Sequence, residues 1–175
     1  MIMKYTSSEA NKLLKKLNET HAAISKKEGI SKEFLASIGE DIECIRPQYD
    51  FTATNIGLYN LNEQIRKVKH AINLFNVQTV IPEFDITIDE ALVLIPQLTQ
   101  LKTKYASMKD KLPKMREQGM YSRNNSIVEY RYLNYDIQEV EKEYEKVSER
   151  LTKLQTALDI INTTCCIEIE IEIEI

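Results

Sequence analysis

Hydrophobic positions recur at alternating steps of three and four over four stretches of this 175-residue chain, the spacing that lines one face of a helix. The first stretch carries Leu14, Leu17, His21 and Ile24, and the second Leu58, Leu61, Ile65, Val68, Ile72 and Phe75. The third runs Ala91, Leu94, Leu98, Leu101, Tyr105, Met108 and Leu112; the fourth runs Ile137, Val140, Tyr144, Val147, Leu151, Leu154, Leu158 and Ile161. A mean step of about 3.5 residues is the seam of helices that pack at shallow angles. Polar residues, mostly Glu, Lys, Gln and Arg, fill the positions between.

Local signals bound these helices. Ser7 or Ser8 is the expected cap of the first helix, because a short hydroxyl side chain accepts from exposed amides of the first turn. Thr87 and Glu90 spell a capping box at the head of the third, and Asp136 with Glu139 a second box at the head of the fourth. Gly29 and Gly39 bracket a short segment, Ser31 to Ile38, after the first helix. Pro47 and Gly57 bound an expected irregular stretch through Tyr49, Asp50, Phe51 and Thr52. Pro96 falls inside the third helix, where it removes an amide donor and favours a kink.

Two stretches have the period of a strand. The segment Ser126 to Leu133 is rich in β-branched and aromatic residues. Asn124-Asn125 would turn it against Met120 to Arg123, giving a hairpin tip at 120–134 between the last two helices. The end, Ile167 to Ile175, alternates Ile and Glu, so a strand places five isoleucines on one face and four glutamates on the other. The expected fold is mainly α, an elongated antiparallel helical bundle or coiled coil with a small β-hairpin tip and a C-terminal β-strand. It is read as a single helical domain over 1–175: a helix over 1–28, a helical core over 55–162 and the strand over 167–175.

Composition narrows the function classes. Four glycines and four prolines are too few for a many-turned β-sandwich or a glycine-rich nucleotide loop. The longest aliphatic run, Ala91 to Ile95, falls far short of the ~20 residues of a membrane span. The first eight residues lack the apolar core of an export signal. Three cysteines, with Cys165 and Cys166 adjacent, do not make a disulfide framework, and a reducing, cytoplasmic setting is the expectation. From Asp136 onward eleven acidic residues face four basic ones, a net −7, while the first 135 residues carry a net +3. Such a chain is poorly suited to nucleic acid and can pair head to tail with itself or favour a basic partner.

From about Asn55 onward the chain resembles a small bacterial helical family labelled septicolysin-like. The resemblance rests on the Ile72-Asn73 helix ending and on a T-x-x-E-A-L helix start at Thr87, Glu90, Ala91 and Leu92. It also rests on Tyr121-Ser122-Arg123, the Asp136-Ile137 helix start and the ending Asn162-Thr163-Thr164. The chain departs from that pattern at Asn124-Asn125 and in the Ile/Glu tail. The resemblance implies a helical architecture and no catalytic residue; its label implies membrane activity.

No candidate chemistry outweighs a structural reading. His21 sits on a helical seam, His70 sits off it, and no E-x-x-H spacing for a di-metal bundle occurs. Glu139, Glu141, Glu143, Glu145 and Glu149 fall mostly off the apolar stripe. The basic run Lys102, Lys104, Lys109, Lys111, Lys114 and Arg116 is broken by Asp110 and reads as charge matching between surfaces. The contact residues expected are Tyr121, Arg123, Tyr130, Arg131 and Tyr132 on the tip, and Ile167, Ile169, Ile171, Ile173 and Ile175 on the tail. The expectation is a non-enzymatic helical interaction protein without cofactor or metal. It would act as a homo-oligomer or accessory subunit, with a partner that offers a free sheet edge. The alternatives are a membrane-active, cytolysin-like protein and an enzyme with a site at the tip.

Overall fold

A computed structural model describes residues 2–116 and 128–170. The described chain is mainly α with small antiparallel two-stranded sheets, as its periodicity implies. It gathers into two compact units, the described parts of Met1–Thr79 with Ile160–Ile175, and of Val80–Asp159. The pattern suggested one domain over 1–175 and no such division.

The first unit opens on strand β1 (Ile2–Thr6), which passes directly into helix α1 (Ser7–Ser31). The cap is Thr6, not Ser7 or Ser8. Thr6 Oγ1 accepts the Glu9 amide at 3.2 Å, and the Glu9 carboxylate accepts the Thr6 amide at 2.8 Å. Only Thr6 has a glutamate three residues on, so it satisfies two orphan donors at once. Ser7 becomes a buried first residue of the helix. Nor does α1 stop at 28: Gly29 lies inside it, on a side where nothing lies within 4 Å of a would-be Cβ.

A loop containing one helical turn, α2 (Ile42–Ile45), leads to α3 (Phe51–Gln78). The stretch expected to be irregular up to Gly57 is already helix, because Asp50 caps it by accepting the Ala53 amide at 2.9 Å. One exposed-helix glycine costs only about 1 kcal/mol, which a helix of this length absorbs. Helices α1 and α3 run antiparallel. Ala10, near the start of α1, packs in one core with Val68 and Ile72 near the end of α3, while Glu28 at the other end accepts from the Tyr49 hydroxyl at 2.7 Å.

Strand β6 (Cys166–Glu170) completes that core. It pairs antiparallel with β1, setting Met3 opposite Ile169, Lys4 opposite Glu168 and Tyr5 opposite Ile167. Ile167 and Ile169 are buried with Ala10, Val68 and Ile72, and Leu13, Leu14, Leu17 and Phe75 pack around them. The alternation of isoleucine and glutamate is therefore used as expected, one face in and one face out.

The second unit begins with a two-residue ladder, β2 (Val80–Ile81) and β3 (Ile86–Thr87), closed by Asp85 at positive φ. Helix α4 (Ile88–Lys109) follows, with the expected Thr87–Glu90 capping box and Pro96 inside it. Proline forgoes the bond to the carbonyl of Leu92, a residue that is exposed, so water can satisfy that oxygen. Strands β4 (Lys114–Arg116) and β5 (Tyr130–Tyr132) pair antiparallel, and α5 (Ile137–Thr164) follows. Asp136 accepts the Gln138 amide at 2.8 Å at its head. The Tyr135 hydroxyl donates to the Met108 carbonyl at 2.9 Å, and the Lys109 ammonium lies 4.4 Å from the Tyr144 ring centroid. The start of α5 thus lies beside the end of α4.

Of the predicted stripe positions, Leu101 and Leu112 depart from the pattern: both are exposed, and Leu112 lies beyond the end of α4. The hairpin between the two helices exists, but its described first strand is Lys114–Arg116. The expected partner strand, Met120 to Arg123, and the Asn124-Asn125 turn lie outside the described residues.

The two capping boxes have a pH signature. The Glu9 and Glu90 carboxylates are held below their ordinary value of 4.5, first by the threonine amide each accepts and then by the threonine hydroxyl. A depressed carboxylate stabilises the fold fully above its unfolded value, and this contribution fades as pH falls through the lower folded value. Thr87→Ala is expected to cost about 1 kcal/mol at neutral pH in chemical denaturation. Glu90→Gln is expected to flatten the acid limb of the stability profile; an unchanged limb would count against the box.

Candidate interaction surfaces

Three surfaces of the described chain offer groups to a partner. The first is the loop between α1 and α3. Leu35 is 98% exposed and Ile38 fully so, and Ile30, Ile42, Ile45 and Phe51 are exposed around them. This loop is held by its own polar contacts. The Ser37 amide donates to the Glu40 carboxylate at 2.7 Å, and Gly39 takes a φ of 95°, which a side chain would strain. Asp41 accepts the Glu43 amide at 3.0 Å and the Cys44 thiol at 3.2 Å. The Cys44 thiol first, and the Glu43 amide second, hold the Asp41 carboxyl below its ordinary value. Arg46 binds Glu43 at 2.8 Å and lies 5.5 Å over the Phe34 ring.

At its exit the Tyr49 hydroxyl is pinned to Glu28, and that hydrogen bond raises the phenol above its ordinary value. Five acidic residues, Glu33, Glu40, Asp41, Glu43 and Asp50, lie in the same stretch of chain, against Lys32 and Arg46. The loop therefore exposes apolar side chains within an acidic stretch of chain.

The second surface is the stem of the β4–β5 hairpin. Tyr130 and Tyr132 are exposed with centroids 6.4 Å apart, and the Lys114 ammonium lies 4.1 Å and 5.3 Å from them. Met115, Arg116 and Arg131 are exposed beside them. Tyr130 and Tyr132 share one face of β5 with Lys114, while Arg131, opposite Met115 in the register, alternates to the other face. Tyr121 and Arg123 lie outside the described residues.

The third is the edge of β6. Ile167 and Ile169, expected on a contact strand, are committed to the core of their own unit; only Cys166, Glu168 and Glu170 face outward. Ile171, Ile173 and Ile175 lie outside the described residues. β1 sets a basic residue against the glutamates: its Lys4 ammonium reaches Glu168 at 3.1 Å.

The histidines do not converge on a site: His21 is half-buried on the α1 seam and His70 is exposed on α3. Cys44, Cys165 and Cys166 are free thiols. Among the described residues no group of three or more His, Cys, Asp or Glu could hold a metal ion, and no helix is long and apolar enough to cross a membrane.

Sequence reasoning missed the α1–α3 loop as a surface. Its apolar residues follow neither period, and that absence of period beside so many large side chains is the one signal available.

These features define a mainly α protein with small antiparallel sheets and exposed apolar side chains. No protein-family model matches the chain, and no curated protein matches it. Among solved structures it is similar to a functionally unknown conserved protein from Corynebacterium diphtheriae, with a TM-score of 0.60 and 16% identity. The match covers 94% of this chain and 99% of that one. At that identity the likeness establishes a common fold and nothing about activity.

Proposed function

We propose that this is a non-enzymatic assembly protein that associates with copies of itself through the α1–α3 loop. The observation that carries the reading is the outward exposure of Leu35 and Ile38 on a loop whose polar groups are internally bonded. Burying such side chains at a contact is worth about 1.5–3 kcal/mol each, and apolar patches of this kind mark interaction sites. A second copy offers the matching chemistry. The loop carries a net −3 between Ile30 and Phe51, and the hairpin stem combines Tyr130, Tyr132 and Met115 with Lys114, Arg116 and Arg131. Opposite charge steers the encounter and the apolar groups hold it.

The net negative charge of this stretch opposes the membrane-active alternative, since the anionic headgroups of a bilayer would meet like charge. Sedimentation is the test. Leu35→Ser with Ile38→Ser is expected to lower the association constant on the order of 100-fold without loss of helical content. Lys114→Glu should weaken the same equilibrium. A wild-type chain that stays monomeric at high micromolar concentration overturns the reading.

A further inference from the structure

Among the described residues the sheet of the first unit has two strands, so β6 bonds β1 on one edge and no described strand pairs with its other edge. That second edge borders a groove of about 470 Å³. The groove is lined by Cys166, Ile167, Glu168 and Glu170 of β6 and by no residue of β1, which places it on the side away from the existing pair. Its far wall is one stripe of α3: Lys67, His70, Ala71, Leu74, Phe75 and Gln78. From Lys67 to Gln78 a helix rises about 16 Å, and the five residues of β6 extend about 16 Å, so an added strand of about five residues matches both walls.

The chemistry of the occupant follows from the edge. Ile167, Ala71, Leu74 and Phe75 make the inner part of the groove apolar. Glu168 and Glu170 stand on the outer face, where the existing partner strand sets a lysine against Glu168. Lys67, held by Glu63 at 2.9 Å, and His70 lie on the helix rim and disfavour a basic side chain pointing inward. An incoming strand therefore fits with apolar residues inward and Lys or Arg outward, alternating.

We propose that this groove is a strand-addition site for an extended, alternating apolar–basic segment of a partner protein. Main-chain bonds to the free edge of β6 supply affinity, and Glu168 and Glu170 supply sequence preference. The inference stands on the β6 edge alone and not on the loop-mediated assembly, so either can fail without the other.

The probe is a fluorescein-labelled peptide, acetyl-Val-Lys-Val-Lys-Val-amide, titrated against the full chain and followed by anisotropy. Saturable binding is expected, with protection of the Cys166 thiol from alkylation in the bound state. The Val-Glu-Val-Glu-Val peptide should bind at least roughly tenfold more weakly. Leu74→Gln, at an exposed wall position, and Glu170→Lys should each weaken the lysine peptide by a similar factor while leaving the denaturation midpoint unchanged. The absence of binding at millimolar peptide overturns the proposal. So does binding that both substitutions leave intact, which would place the peptide elsewhere on the acidic surface or in the place of β1.

Discussion

A chain ending at Thr164 is expected to lose the cooperative core of its first unit. The residues removed include Ile169, which is 1% exposed, and Ile167, both packed on Ala10, Val68 and Ile72. Each isoleucine contributes about 1.5–3 kcal/mol by burial. Their loss also strips β1 of its ladder and opens the α1–α3 seam beneath it. Against a total of about 5–15 kcal/mol for a typical domain, this is a large fraction. Hydrogen exchange should show amides of Ala10 to Leu17 and Val68 to Phe75 losing protection, and the guanidinium midpoint should fall. Ile169→Ala alone should cost about 2–5 kcal/mol. A truncated chain with unchanged protection would mean that β6 rests on a core complete without it.

The second large effect lies in the other unit. Leu154 is 0% exposed and Leu101 is 38% exposed, although both occupy the apolar stripe of their helix. Leu154→Ala is expected to cost about 2–5 kcal/mol, because it removes transfer free energy and leaves a cavity. Leu101→Ala should cost less than about 1 kcal/mol, in the range of partly solvated sites. Leu98 and Leu151, both buried, should behave like Leu154, and half-buried Val147 should fall between. Guanidinium denaturation of the four leucine variants checks the order. Equal shifts for Leu101 and Leu154 would contradict the packing.

The helices were legible because their determinants are local. The stripe from Leu58 to Phe75 is buried or half-buried at every step, and Thr87 with Glu90 forms the box its spelling implies. The Thr6–Glu9 box is spelled in the same way and was as readable. Gly29 and Gly57 mislead as breaks, since a local penalty of about 1 kcal/mol is outvoted by long helices with a packed face.

The sequence by itself determined the four long helices, the Thr87–Glu90 box that starts one of them, the strand character of the Ile/Glu alternation and which of its faces seeks cover. Only the tertiary structure decided that Ala10 of α1 with Val68 and Ile72 of α3 cover that face, and which strand bonds its edge. The partner strand, Ile2 to Thr6, lies at the opposite end of the chain, and its pairing is a non-local contact that no period announces. It also decided that Leu101 faces water while Leu98 does not, and that Leu35 and Ile38 stand outside any core. Periodicity reports which side of an element is apolar. Whether that side meets a neighbour depends on where the rest of the chain is, and local sequence carries no record of that.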